Sequence, residues 1–368
     1  MRIDPMKKNS IAFVTTNACT AYCDHCLMCC APGEKKYLTF EMMKKSIDEL
    51  IVAYHLEQVI FTGGEPTLLG DELFRTIRYC TDRGLLTRMV TNAHWADTYE
   101  NARAYIRKLR AAGLNELNMS CDDFHAPYVP MEHIKNAWHA SKGMGFHSVC
   151  IANCQNSHPV VDQEYIINLL GERPNNIWDM DQRYGWKERT YEKDEYGTMY
   201  LLSSSYMQRT GRAGEVFSEE EFEPYHDTTA LERAACGGVG SQGSISYDKH
   251  LWACCGLQSS GNPVLDVADL NTVPVVDAMK KVADNVILTA IHTVGPYALI
   301  RFVKEMDPSV TFKDQYFSLC EMCGDLTTNE KAVNILNSNL FTLFKIIKES
   351  ERLVAEGKIN LIQSVETD

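Results

Sequence analysis

Through the first half of the chain, hydrophobic residues fall in short runs separated by longer amphipathic stretches. Ile11-Ala12-Phe13-Val14, Gln58-Val59-Ile60-Phe61 and residues 86–90, 114–120 and 148–153 have the length and character of buried strands. Between the first two, residues 39–54 place Met43, Ile47, Leu50 and Ile51 on one helical face. Thr39 is suited to cap that helix, with Glu41 in its first turn. Further helices are predicted over 71–83, ended by Gly84, over 97–112, ended by Gly113, and over 130–143. Strand and helix alternate at roughly 25–30 residues, which predicts parallel βα units.

The pattern then weakens. Between about 172 and 235, Trp178, Tyr184, Trp186, Tyr191 and Tyr196 stand among charged residues with little periodicity. A sixth strand is expected at 199–203, and the remainder as an irregular insertion or a lid over the substrate. After about residue 230 the alternation stops. Ile335, Leu336, Leu340, Phe344, Ile347 and Leu353 predict a helix, or a pair of helices, over 329–355 that closes the fold.

Chemistry is concentrated just after the first strand, in Asn17-Ala18-Cys19-Thr20-Ala21-Tyr22-Cys23-Asp24-His25-Cys26. Three thiolates spaced C-x3-C-x2-C can ligate three irons of a cubane iron–sulfur cluster. The fourth iron is then open to a ligand, as the vacant position is in a catalytic metal site. Cys29 and Cys30 are near enough to be considered as a fourth ligand. Zinc is the rival, because Cys23/Cys26, Cys26/Cys29 and Cys320/Cys323 are all C-x2-C pairs. A zinc ribbon needs its second pair roughly 15–20 residues later, and none follows there. The second strand runs into Thr62-Gly63-Gly64-Glu65-Pro66, where two glycines would let backbone approach a ligand closely.

The cysteine triad after strand one and GGEP after strand two together resemble the radical SAM superfamily. The resemblance implies an open, partial (β/α)6 TIM-type barrel, with its site at the strand C-termini. It implies a [4Fe–4S] cluster on Cys19, Cys23 and Cys26, whose open iron chelates S-adenosylmethionine. One electron then splits the sulfonium, giving a 5′-deoxyadenosyl radical that abstracts hydrogen. Cofactor contacts are implied for Thr62, Gly63, Gly64, Glu65 and Pro66, for Asn92 in Thr91-Asn92, and for Ser120. Arg212, in a Gly-Arg-Ala segment common late in such barrels, joins them as a contact to cofactor or substrate. His25 departs from the family, which usually has an aromatic residue there, packed near the adenine. Asp122 and His125 are candidate proton acceptors or substrate anchors. Their bland alternative is that Asp122 and Asp123 cap a turn and His125 is a surface residue. Cys121 and Cys154 are candidate hydrogen-atom donors, although such thiols more often pack as small hydrophobes.

Further on, Cys236 and the segment Ser244 to Cys255 resemble the hairpin of the SPASM/twitch extension. The family's turn glycine lies five residues before its second cysteine, where His250 stands if the ligand is Cys255; if it is Cys254, the spacing is off by one. With Cys320 and Cys323 these make four ligands, Cys236, Cys255, Cys320 and Cys323, for one auxiliary [4Fe–4S] cluster. Three parts are expected: a core over 8–220, a twitch-like domain over 230–330 and a helical segment over 331–368.

The bulk properties narrow the partners. The 368 residues are 45% hydrophobic and 23% charged, ordinary for a globular protein of one large and one smaller domain. A net charge of −13 argues against nucleic acid. No apolar run nears the roughly 20 residues of a membrane span, and no secretory signal opens the chain. Fourteen cysteines without such a signal read as metal ligands in a reducing cytoplasm. The expected activity is modification of a peptide by epimerisation or cross-linking, because SPASM and twitch extensions often accompany peptide substrates. Only about ten residues precede strand one, too few for the leader-binding domain many such relatives carry. A small molecule such as a sugar or nucleoside is therefore the alternative substrate, and a non-catalytic iron–sulfur or zinc scaffold the third reading. An electron donor such as flavodoxin or ferredoxin is implied.

Overall fold

The computed structural model describes residues 3–179, 190–223, 234–254, 259–358 and 362–363. Trp186, Tyr184 and Cys255 lie outside them. Among the described residues, seven strands form the main parallel run of the sheet: β1 (Ser10–Val14), β2 (Gln58–Thr62), β3 (Leu86–Thr91), β4 (Glu116–Ser120), β5 (Ser148–Gln155), β6 (Asn176–Asp179) and β7 (Met199–Tyr206). Helices α1 (Phe40–Tyr54), α2 (Asp71–Thr81), α3 (Tyr99–Ala112), α4 (Met131–Ser141) and α5 (Gln163–Leu170) connect them. This is the expected α/β fold with a parallel sheet. Local chemistry sets the helix ends: Thr39 accepts from Met42 N, Thr98 from Asn101 N and Asp162 from Tyr165 N. Gly113, with φ of +106°, closes α3 in the left-handed region.

The spatial order is β1-β2-β3-β4-β5-β7-β6, so the last two strands are exchanged. β7 pairs with β5 over its full length, whereas the four residues of β6 hydrogen-bond only to β7 at the edge. The longer strand takes the position where more backbone groups need partners. β6 and α5 were not foreseen, and the sixth barrel strand is three residues longer than expected.

Alternation along the strands separates two surfaces. Leu117 and Met119 of β4 and Val149 and Ile151 of β5 are fully buried in the main core. Glu116, Asn118 and Ser120, with Ser148, Cys150, Ala152 and Cys154, line cavities on the opposite face. On the other side of β1, β8 (Ser244–Ile245) pairs parallel to it, and β9 (His250–Trp252) and β10 (Asp266–Asp269) follow antiparallel. The hairpin of the expected C-terminal domain thus continues the barrel's own sheet. Residues 329–355 form a pair of helices, Glu330–Ser338 and Leu340–Ala355. Among the described residues, no single helix is long and apolar enough to cross a membrane.

Candidate functional site

The carboxyl ends of the parallel strands surround a cavity of about 360 Å³. It is lined by Cys19, Cys23, His25 and Cys26 from the loop after β1 and by Thr62, Gly63 and Gly64 after β2. Asn92, Ser120, His125 and Cys154 add the ends of β3, β4 and β5. The elements predicted to carry the chemistry therefore converge. The end of β7 also lines it, with Ser205, Tyr206, Met207 and Gln208, which sequence reasoning missed. No sequence signal marked them, because Ser203-Ser204-Ser205 carries no apolar alternation past the expected strand end at residue 203. Below, sharing Ser205, lies a second cavity of about 480 Å³ on the same face, with the Arg88–Glu116 ion pair (2.5 Å) in its wall.

The glycines of GGEP, which also line the cavity, serve a second purpose. A Cβ on Gly64 would stand 1.9 Å from the Ala18 carbonyl oxygen, and one on Gly63 would stand 2.7 Å from that of Thr16. The missing side chains let the cysteine loop lie on the GGEP loop. Gly64 N donates to Thr16 O (2.7 Å) and Glu65 N to Ala18 O (2.9 Å). Gly63, with φ of +133°, also needs the conformational freedom of glycine.

Glu65 turns inward and is fully buried. Its carboxylate accepts from Thr67 N (3.2 Å), Thr67 Oγ1 (2.6 Å), Thr91 Oγ1 (2.8 Å) and Asn92 N (2.9 Å). It does not line the cavity; it sets the end of β3, from which Asn92 Nδ2 reaches Thr20 Oγ1 (2.9 Å) and approaches Cys19 Sγ (3.7 Å). Pro66 is buried at the start of a 3-10 turn, Pro66–Leu69.

Arg212 is likewise redirected. Its buried guanidinium donates to the carbonyls of Cys23 (2.5 Å) and Cys30 (2.8 Å) and lies 3.6 Å from the centre of the Tyr22 ring. It braces the backbone of the cysteine loop instead of facing the cavity. A buried cation can do this because carbonyl oxygens and an aromatic face replace its water.

Asp122 and His125 form one unit. Asp122 Oδ1 accepts from Phe124 N (3.1 Å), His125 N (2.9 Å) and His125 Nδ1 (2.8 Å), so the aspartate both caps the turn and holds the imidazole. His125 is half-buried there, with 15% of its side chain exposed, and is no surface residue. Burial pushes the Asp122 carboxyl up, but the imidazole beside it holds it below the usual carboxylate range. Burial likewise works against the charge of His125, yet Asp122, together with a bond to the Cys23 thiol, raises it well above an ordinary histidine. His25 stacks on Phe124 at 4.4 Å, and burial lowers its pKa to about 4. Asp123 caps a different segment, accepting from Val160 N (2.8 Å) and Val161 N (3.0 Å).

The two candidate thiols separate. Cys121 points to the helix side, fully buried with its sulfur 3.4 Å from that of Met131, and it packs. Cys154 lines the cavity, and burial raises its pKa well above an ordinary thiol, keeping it protonated.

In the C-terminal part, Cys320 and Cys323 lie on the helix Leu319–Thr328. Cys323 is buried, and the charges of Cys236 and Cys320 both bear on it, so the chain brings these three together. In the hairpin the left-handed turn residue is Lys249, with φ of +67°, not His250. Five residues on from Lys249 is Cys254, which packs against the main core.

The cavity suits an iron–sulfur cluster with a polar cofactor. Its three thiols come from one braced loop, and His25 Nδ1 and Gln208 Oε1 are buried there without a hydrogen-bond partner.

Residues 13–140 match the model of the Radical SAM superfamily. YydG of Bacillus subtilis (strain 168), whose name assigns it provisionally to peptide biosynthesis, is 18% identical over 334 residues, 89% of this chain and 95% of that one. The GTP 3',8-cyclase of Synechococcus elongatus is 32% identical over 114 residues, 30% of this chain and 33% of that one. The solved structure of native anSMEcpe with bound AdoMet superimposes with a TM-score of 0.50 at 11% identity, covering 92% of this chain and 99% of that one. The cofactors are S-adenosylmethionine and a [4Fe–4S] cluster. With a radical SAM domain at residues 13–140 on a partial-barrel fold, the chain is a radical SAM superfamily enzyme.

Proposed function

We propose that the enzyme modifies a peptide, by epimerising one residue. The observation that carries the peptide reading is the similarity to YydG along nearly the whole of both chains. Cys19, Cys23 and Cys26 would hold the cluster, with the Thr62–Gly64 backbone, Asn92 and Ser120 facing the cofactor. Bound there, cluster and cofactor together supply a one-electron cleavage and a radical able to take hydrogen from a Cα. Glu65 fixes Asn92, Arg212 fixes the cysteine loop, and Asp122 fixes His125. Cys154 favours epimerisation over cross-linking, because its S–H faces the cavity and stays protonated. The thiol gives its hydrogen atom to the Cα radical from the opposite face, and a thiyl remains. A one-electron donor of the flavodoxin or ferredoxin class, with a proton from water, restores the thiol. Cys236, Cys320 and Cys323, with Cys254 or Cys255, would hold one auxiliary [4Fe–4S] cluster.

The test is turnover in deuterated water of candidate ribosomal peptides, beginning with any short reading frame found beside this gene. Epimerisation adds one deuterium at the altered Cα, and Cys154→Ala should still form 5′-deoxyadenosine while losing that label. A product lighter by two hydrogens would mean cross-linking. Cofactor cleavage with the peptide unchanged would move the substrate to small molecules.

A further inference from the structure

In the wall of the cavity, Cys23 Sγ and one ring nitrogen each of His25 and His125 lie within 4.8 Å of one another. Among the described residues this is the one set of three His, Cys, Asp or Glu ligand atoms drawn so close. A cubane spreads its thiolates over separate irons, so this grouping is not the cluster's own ligand set. It mixes one thiol with two imidazoles, a donor set that zinc takes readily. Ligand atoms around one tetrahedral zinc stand roughly 3.3–3.6 Å apart, so a side-chain movement of about an ångström would close the site.

Two further features point to a ligand. His125 Nδ1 is held by Asp122 Oδ1 at 2.8 Å, which leaves Nε2 for the ion. A carboxylate on the far nitrogen is the usual outer partner of a zinc-bound histidine, fixing its tautomer and its aim. His25 Nδ1 is buried with no hydrogen-bond partner, and its Nε2 is 3.9 Å from Asp122 Oδ2. A buried imidazole nitrogen left without a partner costs free energy unless something else binds it. A phenylalanine at position 25 could stack on Phe124 equally well but could not ligate.

We propose that Cys23, His25 and His125 form a binding site for a single zinc-class divalent cation, used when the iron–sulfur cluster is absent. The bound ion displaces the proton of the Cys23 thiol to solvent. The fourth position stays open to water, as in zinc sites with three protein ligands. Because Cys23 belongs to both sets, zinc and cluster exclude one another. The site would keep the loop folded and one of its thiols capped until iron and sulfide arrive. This does not depend on the identity of the substrate.

Cobalt(II) and zinc(II) titrations of the reduced, cluster-free, full-length chain test it. Cobalt should give thiolate charge-transfer and tetrahedral d–d bands, and one equivalent should be lost in both H25F and H125Q. D122N keeps all three ligands, so it should retain that equivalent with affinity weakened about 10- to 100-fold. A second arm loads the wild type with zinc and then supplies iron and sulfide. About four irons per chain should be refused until the zinc is chelated, and H25F, which keeps every thiol, should show no such block. Unchanged stoichiometry and affinity in H25F and H125Q would overturn the proposal, because the metal would then be held by thiols alone. Full iron uptake by the zinc-loaded wild type would overturn it as well.

Discussion

Gly64→Ala is the sharpest perturbation of the site, because it adds one methyl group where two backbones touch. The new Cβ would stand 1.9 Å from the Ala18 carbonyl oxygen, against 3.4 Å at the near limit of ordinary contact. The cysteine loop must therefore move out by about 1.5 Å. That movement breaks the bonds from Gly64 N to Thr16 O (2.7 Å) and from Glu65 N to Ala18 O (2.9 Å). Leaving a buried partner unsatisfied costs about 1–3 kcal/mol, so losing both bonds costs about 2–6 kcal/mol. The loss falls on one loop, while the sheet beneath keeps its ladder, so the effect should be local. The variant should fold and melt cooperatively, yet retain less than half the iron of the wild type after anaerobic reconstitution. S-adenosylmethionine cleavage should fall at least tenfold. Wild-type iron content and cleavage in Gly64→Ala would refute the close-approach reasoning, since nothing else near Gly64 can give way cheaply.

Arg212→Ala should also weaken the loop, by about 3 kcal/mol for two charge-assisted bonds to buried carbonyls, and Arg212→Lys should rescue part of it; unfolding temperature and iron retention measure both. Iron analysis of the wild type should give about eight irons per chain, falling to about four when Cys320 and Cys323 are both replaced with Ala. Retention of eight would remove the auxiliary site from this region. The ion pair between His250 Nδ1 and Asp266 Oδ1, at 2.8 Å, makes a pH-dependent contribution to the hairpin. Burial lowers the His250 pKa, but Asp266 outweighs it and raises the value above 6.5. The contribution is therefore complete below about pH 6.5 and is lost as pH rises through the raised value. The gap in melting temperature between wild type and D266N should shrink from pH 5.5 to pH 8.5; a gap that widens would reverse the sign.

What could be read from the sequence was what is local. Thr39, Gly84 and Gly113 delimit helices through their own backbone chemistry, and strands β1 to β5 are continuous apolar or alternating runs. The cysteine triad and GGEP follow the first two strands directly, so predicting those strands places the motifs at one end of the sheet. What could not be read depends on distant partners. Glu65 looks like a ligand until Thr91 and Asn92 are seen to occupy its carboxylate. Arg212 finds its carbonyls far back in the chain, at Cys23 and Cys30, and no local pattern announces that. β6 is four residues long and survives only by pairing with β7, so it carries no periodicity to detect. Lys249 adopts a left-handed turn that the glycine rule assigns to its neighbour, which moves the register of the hairpin by one residue.

The most direct test is the fate of the cofactor. Anaerobically reconstituted enzyme with dithionite should convert S-adenosylmethionine to 5′-deoxyadenosine and methionine, measured by chromatography. Replacing Cys19, Cys23 and Cys26 together with Ala should abolish the product, whereas replacing the exposed Cys29 should leave it. Undiminished 5′-deoxyadenosine from the triple variant would contradict the assignment of the cluster to this loop.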